Sequence, residues 1–521
     1  MTKRGTIGLF ILILTPALFA QTTESQPLQL SLQDCLAKAM KNNLGVAVQM
    51  LTPELRAVAV SQAKERFLPT LSLSFGKNSQ QQASYNFYDA ADVSTTDYDS
   101  YVGTINQEIP GGGSLALRIN SSKYNTNRTG TTINPSYRAE MRFSFDQPLL
   151  RNFGLNISRR EIIVASTRLE MSEKDLERAL QQTVYDVEQA YWNLVYAVEN
   201  YKATQQSLTY AQDLLERNRR SVEVGTMAPI NIISAEAEVA SREAELLVAE
   251  AEIRNQEDRL KQIMNLKAED SRAEFIPIEP IDSPIEEYKE ISLEEALSTA
   301  LQNRPDLASS RLGIKTSESD LGFAKNQMLP DLSFRAQYWS PGVSGTQLIY
   351  DDPRNPFSDF TIGEEGGFGD SFKDVFGFEY RNWSIGFDLN ISLSNIVSRA
   401  SVAQAKVNLD SALLQLKEQE MQIYTDIKIA VRNVETSYKQ IQALKLSREL
   451  YEKQLEAVTE KLKVGLSTNF EVLQYQRDLA RQRSSELQAI INYNLALARL
   501  ERDMGISLDQ KNIQIAQMRG E

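Results

Sequence analysis

The chain has 521 residues, enough for several ordinary domains or one elongated repeat architecture. Its 69 acidic and 56 basic residues leave a net charge of −13, which argues against nucleic-acid binding, and its single cysteine excludes an intrachain disulfide. The sequence contains no histidine, which removes Ser-His and Cys-His nucleophiles and His-ligated metals; no acid pair is singled out by its spacing, so neither catalysis nor a cofactor is expected.

Residues 1–20 read as a signal peptide. Lys3 and Arg4 form a short basic region, Ile7 to Ala20 is a mostly apolar run, and Leu18-Phe19-Ala20 offers a small residue at a cleavage point. The run is short for a membrane-spanning helix, a short N-terminal anchor being the alternative. No later stretch of about 18 apolar residues follows, so a chain held in a membrane would need a closed barrel of strands.

Ser31 is placed to cap a short helix running to about Asn43, with Asp34 in its first turn at the positive helix end. Cys35 shares a face with Leu32, Leu36 and Ala39 and reads as core. A second helix is predicted from about Pro53 to Phe67, and Pro69 ends it. Leu71, Leu73 and Phe75 then alternate with Ser72, Ser74 and Gly76, the period of a strand with one apolar face. Further strands are predicted at 101–109, 115–124 and 137–148, with Pro110-Gly111-Gly112-Gly113 as a turn between the first two.

From 156 to 222 no glycine or proline interrupts the chain, and a helix there would be ~100 Å long at ~1.5 Å per residue. Leu180, Val187, Leu194, Tyr201, Leu208, Leu215 and Val222 recur at intervals of seven beside Val184, Tyr191 and Val198, a coiled-coil seam. Gly225 ends this helix, and residues 226–231 turn the chain into an alanine-rich return helix to about Leu266. The connector at 267–290 carries Pro277, Pro280 and Pro284 and cannot be helical throughout.

In the second half Leu332, Phe334, Ala336 and Tyr338 alternate, followed by Trp383, Ile385, Phe387, Leu389, Ile391 and Leu393. The alternative for these segments is an ordinary soluble sheet with one buried face. Tyr338, Trp339, Tyr380 and Trp383 cluster where a membrane-interface aromatic girdle would sit. Asp351, Asp352, Asp359, Glu364, Glu365 and Asp370 read as a solvated outer loop rather than a calcium site. The seam returns with Leu409, Leu416, Ile423, Ala430, Ser437, Leu444, Tyr451 and Val458; Gly465 breaks the helix, and residues 466–471 lead into a return helix to about Met504.

The plan is written twice. Leu30-Ser31-Leu32 with Asp34 and Leu36 overlays Ile291-Ser292-Leu293 with Glu295 and Leu297, an offset of 261 that also carries Leu68-Pro69 onto Leu329-Pro330. An offset of 240 carries Val224-Gly225, Ile232-Ile233 and Arg259-Leu260 onto Val464-Gly465, Val472-Leu473 and Arg499-Leu500. The expected organisation is a first repeat at 30–266 (strands about 70–148, long helices about 156–266), the connector, a second repeat at 291–506 (strands about 331–394, long helices about 395–504) and a C-terminal tail at 507–521.

Together these features resemble the TolC family of outer-membrane efflux proteins, from about Leu30 to Ile506. The resemblance rests on the duplicated plan, on the strand-to-helix phrase Phe145-Asp146-Gln147-Pro148-Leu149-Leu150, and on the two Val-Gly helix tips, each followed by an apolar pair. It implies a mixed α and β fold: a long α-helical coiled-coil barrel joined to a transmembrane β-barrel, both completed by trimerisation. It implies a homotrimer in the cell outer membrane, in contact with outer-membrane lipid, with a large periplasmic helical part. Its partners would be a periplasmic adaptor protein and an inner-membrane pump, and its role the exit duct of a tripartite efflux pump or type I secretion system.

The same resemblance places adaptor contacts at Val224, Gly225, Val464 and Gly465, and a periplasmic constriction at Glu471, Gln474 and Asn231. Only Glu471 keeps an acid, so one ring of three Glu471 is expected, its like charges repelling and attracting cations. The alternative is an ordinary first-turn acid. Leu462 and Ser467 stand where the family has a locking Tyr and Arg. Four barrel strands per chain are expected; four cannot close a wide barrel, since small barrels need about eight, so oligomerisation is the natural repair for the open strand edges. Six strands, or a hairpin outside the barrel around Gly111, are the alternatives. The rival function is a structural or adhesive periplasmic coiled-coil protein without a channel; a carboxylate hydrolase lacks any motif.

Overall fold

The computed structural model describes residues 28–84, 92–266, 274–278, 290–355 and 357–513. The expected signal peptide and connector residues Pro280 and Pro284 lie outside them. β1 (Leu28–Leu30) leads into α1 (Leu32–Asn42), where the Asp34 amide donates to Ser31 Oγ and the Ser31 amide donates to Asp34 Oδ2, both at 3.1 Å, a reciprocal capping box. The Ser31 hydroxyl also donates to that carboxylate and holds it below the usual carboxylate range. Cys35, Leu36 and Ala39 are buried, as their common face predicts.

α2 (Leu44–Glu65) starts well before the predicted Pro53, which lies inside it. Val46, Pro53 and Val60 are buried at intervals of seven, and this packing carries the helix past the one hydrogen bond that proline cannot donate. Four strands follow: β2 (Thr70–Ala83), β3 (Val93–Glu108), β4 (Ser114–Thr126) and β5 (Ile133–Pro148). The short α3 (Leu155–Ser158) precedes α4 (Arg160–Glu223), and α5 (Ile230–Met264) returns. Within the connector, β6 (Phe275–Pro277) pairs parallel with β1, a strand the prolines had hidden; Phe275 is buried, and its amide donates to Glu257 at 3.2 Å.

α6 (Leu293–Asn303) is capped by Ser292, whose hydroxyl accepts from the Glu295 amide at 3.4 Å, and α7 (Pro305–Asn326) opens on a proline at its first turn. Then come β7 (Asp331–Tyr350), β8 (Phe360–Glu365), α8 (Phe368–Gly377) and β9 (Asn382–Asn390). The presumed outer loop thus contains β8 and α8, and Ile391 and Leu393 lie beyond β9. α9 (Ile396–Lys463), α10 (Asn469–Met504) and α11 (Ser507–Gln510) complete the described chain.

The chain divides into two compact units. One draws on Met1–Leu44, Thr183–Lys289 and Asn433–Ala498; the other draws on Gly45–Gln182, Glu290–Arg432 and Arg499–Glu521, so α4 and α9 contribute to both. In the first unit the seam residues Val184, Val187, Tyr191 and Leu194 are buried. The second unit holds one antiparallel sheet in the order β2-β3-β4-β5-β7, with β8 and β9 both pairing along the far edge of β7.

The sheet holds more long strands than the four expected. β3 and β4 insert between β2 and β5 and pair along nearly their whole lengths, giving six long strands and the short β8. A hairpin outside the sheet would have added two more open edges; inside it, both amide rows are satisfied.

Candidate functional site

Strand register sorts the sheet into two chemically different faces. One cross-strand row runs Leu71–Ile105–Leu117–Phe143–Tyr338–Trp383, and its neighbours on the same face include Leu73, Leu115, Phe145, Ala336, Phe334, Ile385, Phe387 and Leu389. Much of this face is open: Phe75 is 72%, Trp383 70% and Phe387 66% exposed. A soluble sheet would cover such a surface, since contiguous apolar patches beyond a few hundred Å² are rare on monomers.

The opposite face is polar. Its rows include Ser72–Thr104–Arg118–Arg142–Trp339–Asn382 and Glu108–Ser114–Asp146–Arg335–Gly386. Arg335 bridges Asp146 at 2.9 Å and Asp388 at 3.0 Å, and Arg142 pairs with Glu140 at 2.9 Å. Trp339 belongs here, with the Arg142 guanidinium 5.2 Å from its ring centre. The predicted aromatic cluster is therefore split: Tyr338 and Trp383 are cross-strand partners on the apolar face, and Trp339 points the other way because successive strand residues alternate.

At the helix tips, Gly225 and Gly465 have φ of 77° and 76°. The Gly225 amide donates to Val222 O at 3.0 Å and the Thr226 amide to Ser221 O at 2.9 Å; Gly465 and Leu466 repeat the pattern onto Leu462 O and Lys461 O at 3.0 and 2.8 Å. This paired closure needs a left-handed residue at the helix end, which glycine adopts without a Cβ penalty. It leaves Val224 73% and Val464 69% exposed, beside exposed Leu466 and Phe470.

Glu471 and Asn231 stand in the first turns of α10 and α5. Glu471 is exposed and turned back onto its own helix end: it accepts from the Ser467 hydroxyl and, at 3.4 Å, from the Thr468 amide, while its own amide donates to Thr468 Oγ1 at 3.3 Å. The Ser467 hydrogen bond, followed by that from the Thr468 amide, holds the carboxyl below its ordinary range. Gln474 is exposed one turn on. Leu462 packs with Leu214, Val458, Val472 and Leu473, and Ser467 serves the cap.

A buried amide pair beneath the tips went unread in the sequence. Asn469 Nδ2 donates to Asn218 Oδ1 at 2.9 Å, and Asn218 Nδ2 donates to Asn231 O at 3.4 Å, tying α4, α10 and the start of α5 together. The available signal was Asn218 itself, four residues after buried Leu214 on the same stripe; a lone Asn in an apolar seam specifies register. Higher up, Glu452 accepts from Arg483 at 2.9 Å and pairs with Arg448 at 3.0 Å, and Arg483 also reaches Gln206 at 2.8 Å. The Arg483 hydrogen bond is the chief cause that lowers the Glu452 carboxyl pKa.

Replacing Asn469 by Leu strands Asn218 Oδ1 in a buried site, and a single replacement of either asparagine is expected to destabilise the tip by about 1–3 kcal/mol. The double replacement is expected to cost less than the sum, because no orphan remains. Amide hydrogen exchange across residues 214–235 measures both; strict additivity would show that the two side chains are uncoupled.

A family model described as outer membrane efflux protein matches residues 114–266 and 296–505. Nodulation protein T of Rhizobium leguminosarum bv. trifolii is 21% identical over 351 residues; the match takes in 66% of this chain and spans 66% of that protein's length. The CmeC outer membrane channel of Campylobacter jejuni superposes with a TM-score of 0.64 at 17% identity, covering 93% of this chain and 90% of that one. The outer membrane protein VceC of Vibrio cholerae superposes with a TM-score of 0.62 at 15% identity, covering 91% and 96%. At these identities the superpositions establish the fold alone, one shared with outer-membrane channel chains.

Proposed function

The chain belongs to the outer membrane efflux protein family, whose members are transport channels rather than enzymes, and from that premise we propose that it is one protomer of a trimeric exit duct serving a tripartite efflux pump or a type I secretion system. The open apolar face of the sheet, backed by a polar one, carries this reading: lipid covers the first and water fills the second. A soluble adhesive coiled coil would account for the heptads equally well but would leave Phe75, Trp383 and Phe387 in water.

With six long strands from each of three chains, the barrel has about eighteen, a size that leaves an aqueous channel. Among the described residues β2 pairs only with β3, and β9 only with β7, so these two edges meet between copies. The two halves of the chain are duplicates of one plan, each supplying strands to the barrel and a helix pair to the periplasmic passage. At the tips, Val224, Gly225, Val464 and Gly465 form the surface for a periplasmic adaptor protein, which joins the duct to an inner-membrane pump. Three Glu471 side chains ring the narrowest point, with Gln474 and Asn231 nearby, and favour cations there. Conduction is passive, and opening follows movement of the tips.

Cysteine pairs test the closure. Ser72→Cys or Ser74→Cys on β2, combined with Ser384→Cys on β9, leave the buried Cys35 unreactive. Oxidation of the membrane-embedded protein is expected to give covalent trimers on denaturing gels, and the purified protein to conduct in planar bilayers. Monomers at every pair tried, together with no conductance, would remove the duct.

A further inference from the structure

The helix α8 has no counterpart among the predicted elements, and it lies on the apolar face of the sheet rather than the polar one. Its Val375 is fully buried against Ala139 and Met141, with Leu117, Ile119, Phe372 and Phe378 around them. Phe368 rests on Tyr137 at 4.6 Å and Tyr101 at 5.8 Å between ring centres, and Phe378 on Tyr338 at 6.1 Å. All these strand residues share one face by register. The approach is close: a Cβ at Gly342 would stand 2.0 Å from Ser371 O, so only glycine admits the helix.

The height of α8 on the sheet is informative. On β2 to β5 the greasy run of this face gives way at one line, where Phe75 is followed by Lys77, Tyr101 by Asp99, Ser121 by Lys123 and Ala139 by Tyr137; Lys77–Asp99–Lys123–Tyr137–Ser344 is a single cross-strand row. α8 straddles that line, since Phe368 contacts Tyr137 and Val375 contacts Met141. Its outer side carries Lys373 and Phe376, the latter 58% exposed and stacked on Phe372 at 6.0 Å, and exposed Tyr380 and Trp383 follow. Beside it opens an apolar groove of about 520 Å³, lined by Ile105, Leu117, Phe143, Phe145, Tyr338 and Trp383.

We propose that α8 is a membrane-surface helix whose partner is bilayer lipid. It lies on the lipid side of the barrel at the boundary between headgroups and acyl chains, with Phe372 and Phe376 in the chains, Lys373 at headgroup level, and a chain segment in the adjoining groove. This rests on the barrel reading above. The continuity of Phe376, Tyr380 and Trp383 with the apolar band selects lipid as the occupant, because aromatic residues concentrate at bilayer interfaces and short amphipathic helices lie in that plane. The helix thereby widens the band that holds the barrel at a fixed depth.

Spin labels on the full-length protein in lipid bilayers test this. Phe376→Cys, Lys373→Cys, the band position Ile385→Cys and the polar-face position Ser384→Cys are labelled singly, and collision with oxygen is compared with collision with a water-soluble nickel chelate. Phe376 is expected to favour oxygen as Ile385 does, with Ser384 favouring nickel and Lys373 lying between. In a Gly342→Val background, where the helix must lift, the Phe376 label is expected to move towards nickel while Ile385 stays unchanged. If Ile385 favours oxygen but Phe376 favours nickel, α8 is a water-exposed loop helix and the proposal falls alone. If Phe376 is shielded from both, a second copy covers it and the proposal also falls. If Ile385 itself favours nickel, the barrel reading falls first.

Discussion

Arginine at both Ile385 and Phe387 is expected to abolish recovery of the protein from membranes in its assembled form. The two side chains stand two residues apart on β9, both more than half exposed, in the middle of the apolar rows. An arginine on the lipid face near the bilayer midplane costs about 2–4 kcal/mol, so the pair costs on the order of 4–8 kcal/mol. Net folding stabilities are typically about 5–15 kcal/mol, so a loss of this size removes much of the margin. The control lies one residue away: Ser384→Arg on the same strand faces the polar side, beside residues such as Gln337, and is expected to insert normally. Membrane fractionation followed by unheated electrophoresis distinguishes the cases. Equal losses for the two faces would mean that the exposed rows do not meet lipid, and normal insertion of the double variant would mean the same.

Period and punctuation made part of this architecture legible. The alternation at Leu71–Phe75 and Trp383–Leu389, the Ser31–Asp34 cap and the glycines at 225 and 465 are local signals, and each element follows from residues within a few positions of it. What escaped was settled by distant partners. β3 and β4 read as strands, but nothing local says whether a hairpin lies inside or outside a sheet; the answer is in pairing with β2 and β5. β6 is three residues long and exists because β1 lies beside it. α8 sits in an acid-bearing, glycine-rich segment whose helix is supported by Ala139 and Met141, far away in sequence. Pro53 misled in the opposite direction, since a proline usually marks a helix start, and here burial at Val46 and Val60 extends the helix across it. At the tips the turn geometry was legible, whereas the Asn218–Asn469 bridge joins residues 251 positions apart.

Glutamate at both Leu51 and Leu55 is expected to leave the chain folded and monomeric. α2 carries two apolar stripes. Val46, Pro53 and Val60 are buried within the chain, while Leu44, Val48, Leu51, Leu55 and Val58 follow helical spacing on the other side and are all exposed, Leu55 by 70%. An apolar row of this kind is what a seam between copies would present in a single chain. Burying a Leu or Val side chain fully contributes about 1.5–3 kcal/mol, so the five contribute on the order of 7–15 kcal/mol per helix if a neighbouring copy covers them. Two glutamates remove roughly 3–6 kcal/mol of that and add charges that an apolar interface desolvates at further cost. Every copy in a ring bears the change, so the loss recurs at each interface. Because both side chains already lie in solvent in the single chain, the fold itself loses little, and far-ultraviolet circular dichroism is expected to stay the same. Light scattering of the detergent-solubilised protein reads the mass: a single-chain mass supports the seam, and a mass unchanged from the parent protein places the contact between copies elsewhere. Glu54→Ala, on the same helix but outside either stripe, is the control expected to keep the parent mass.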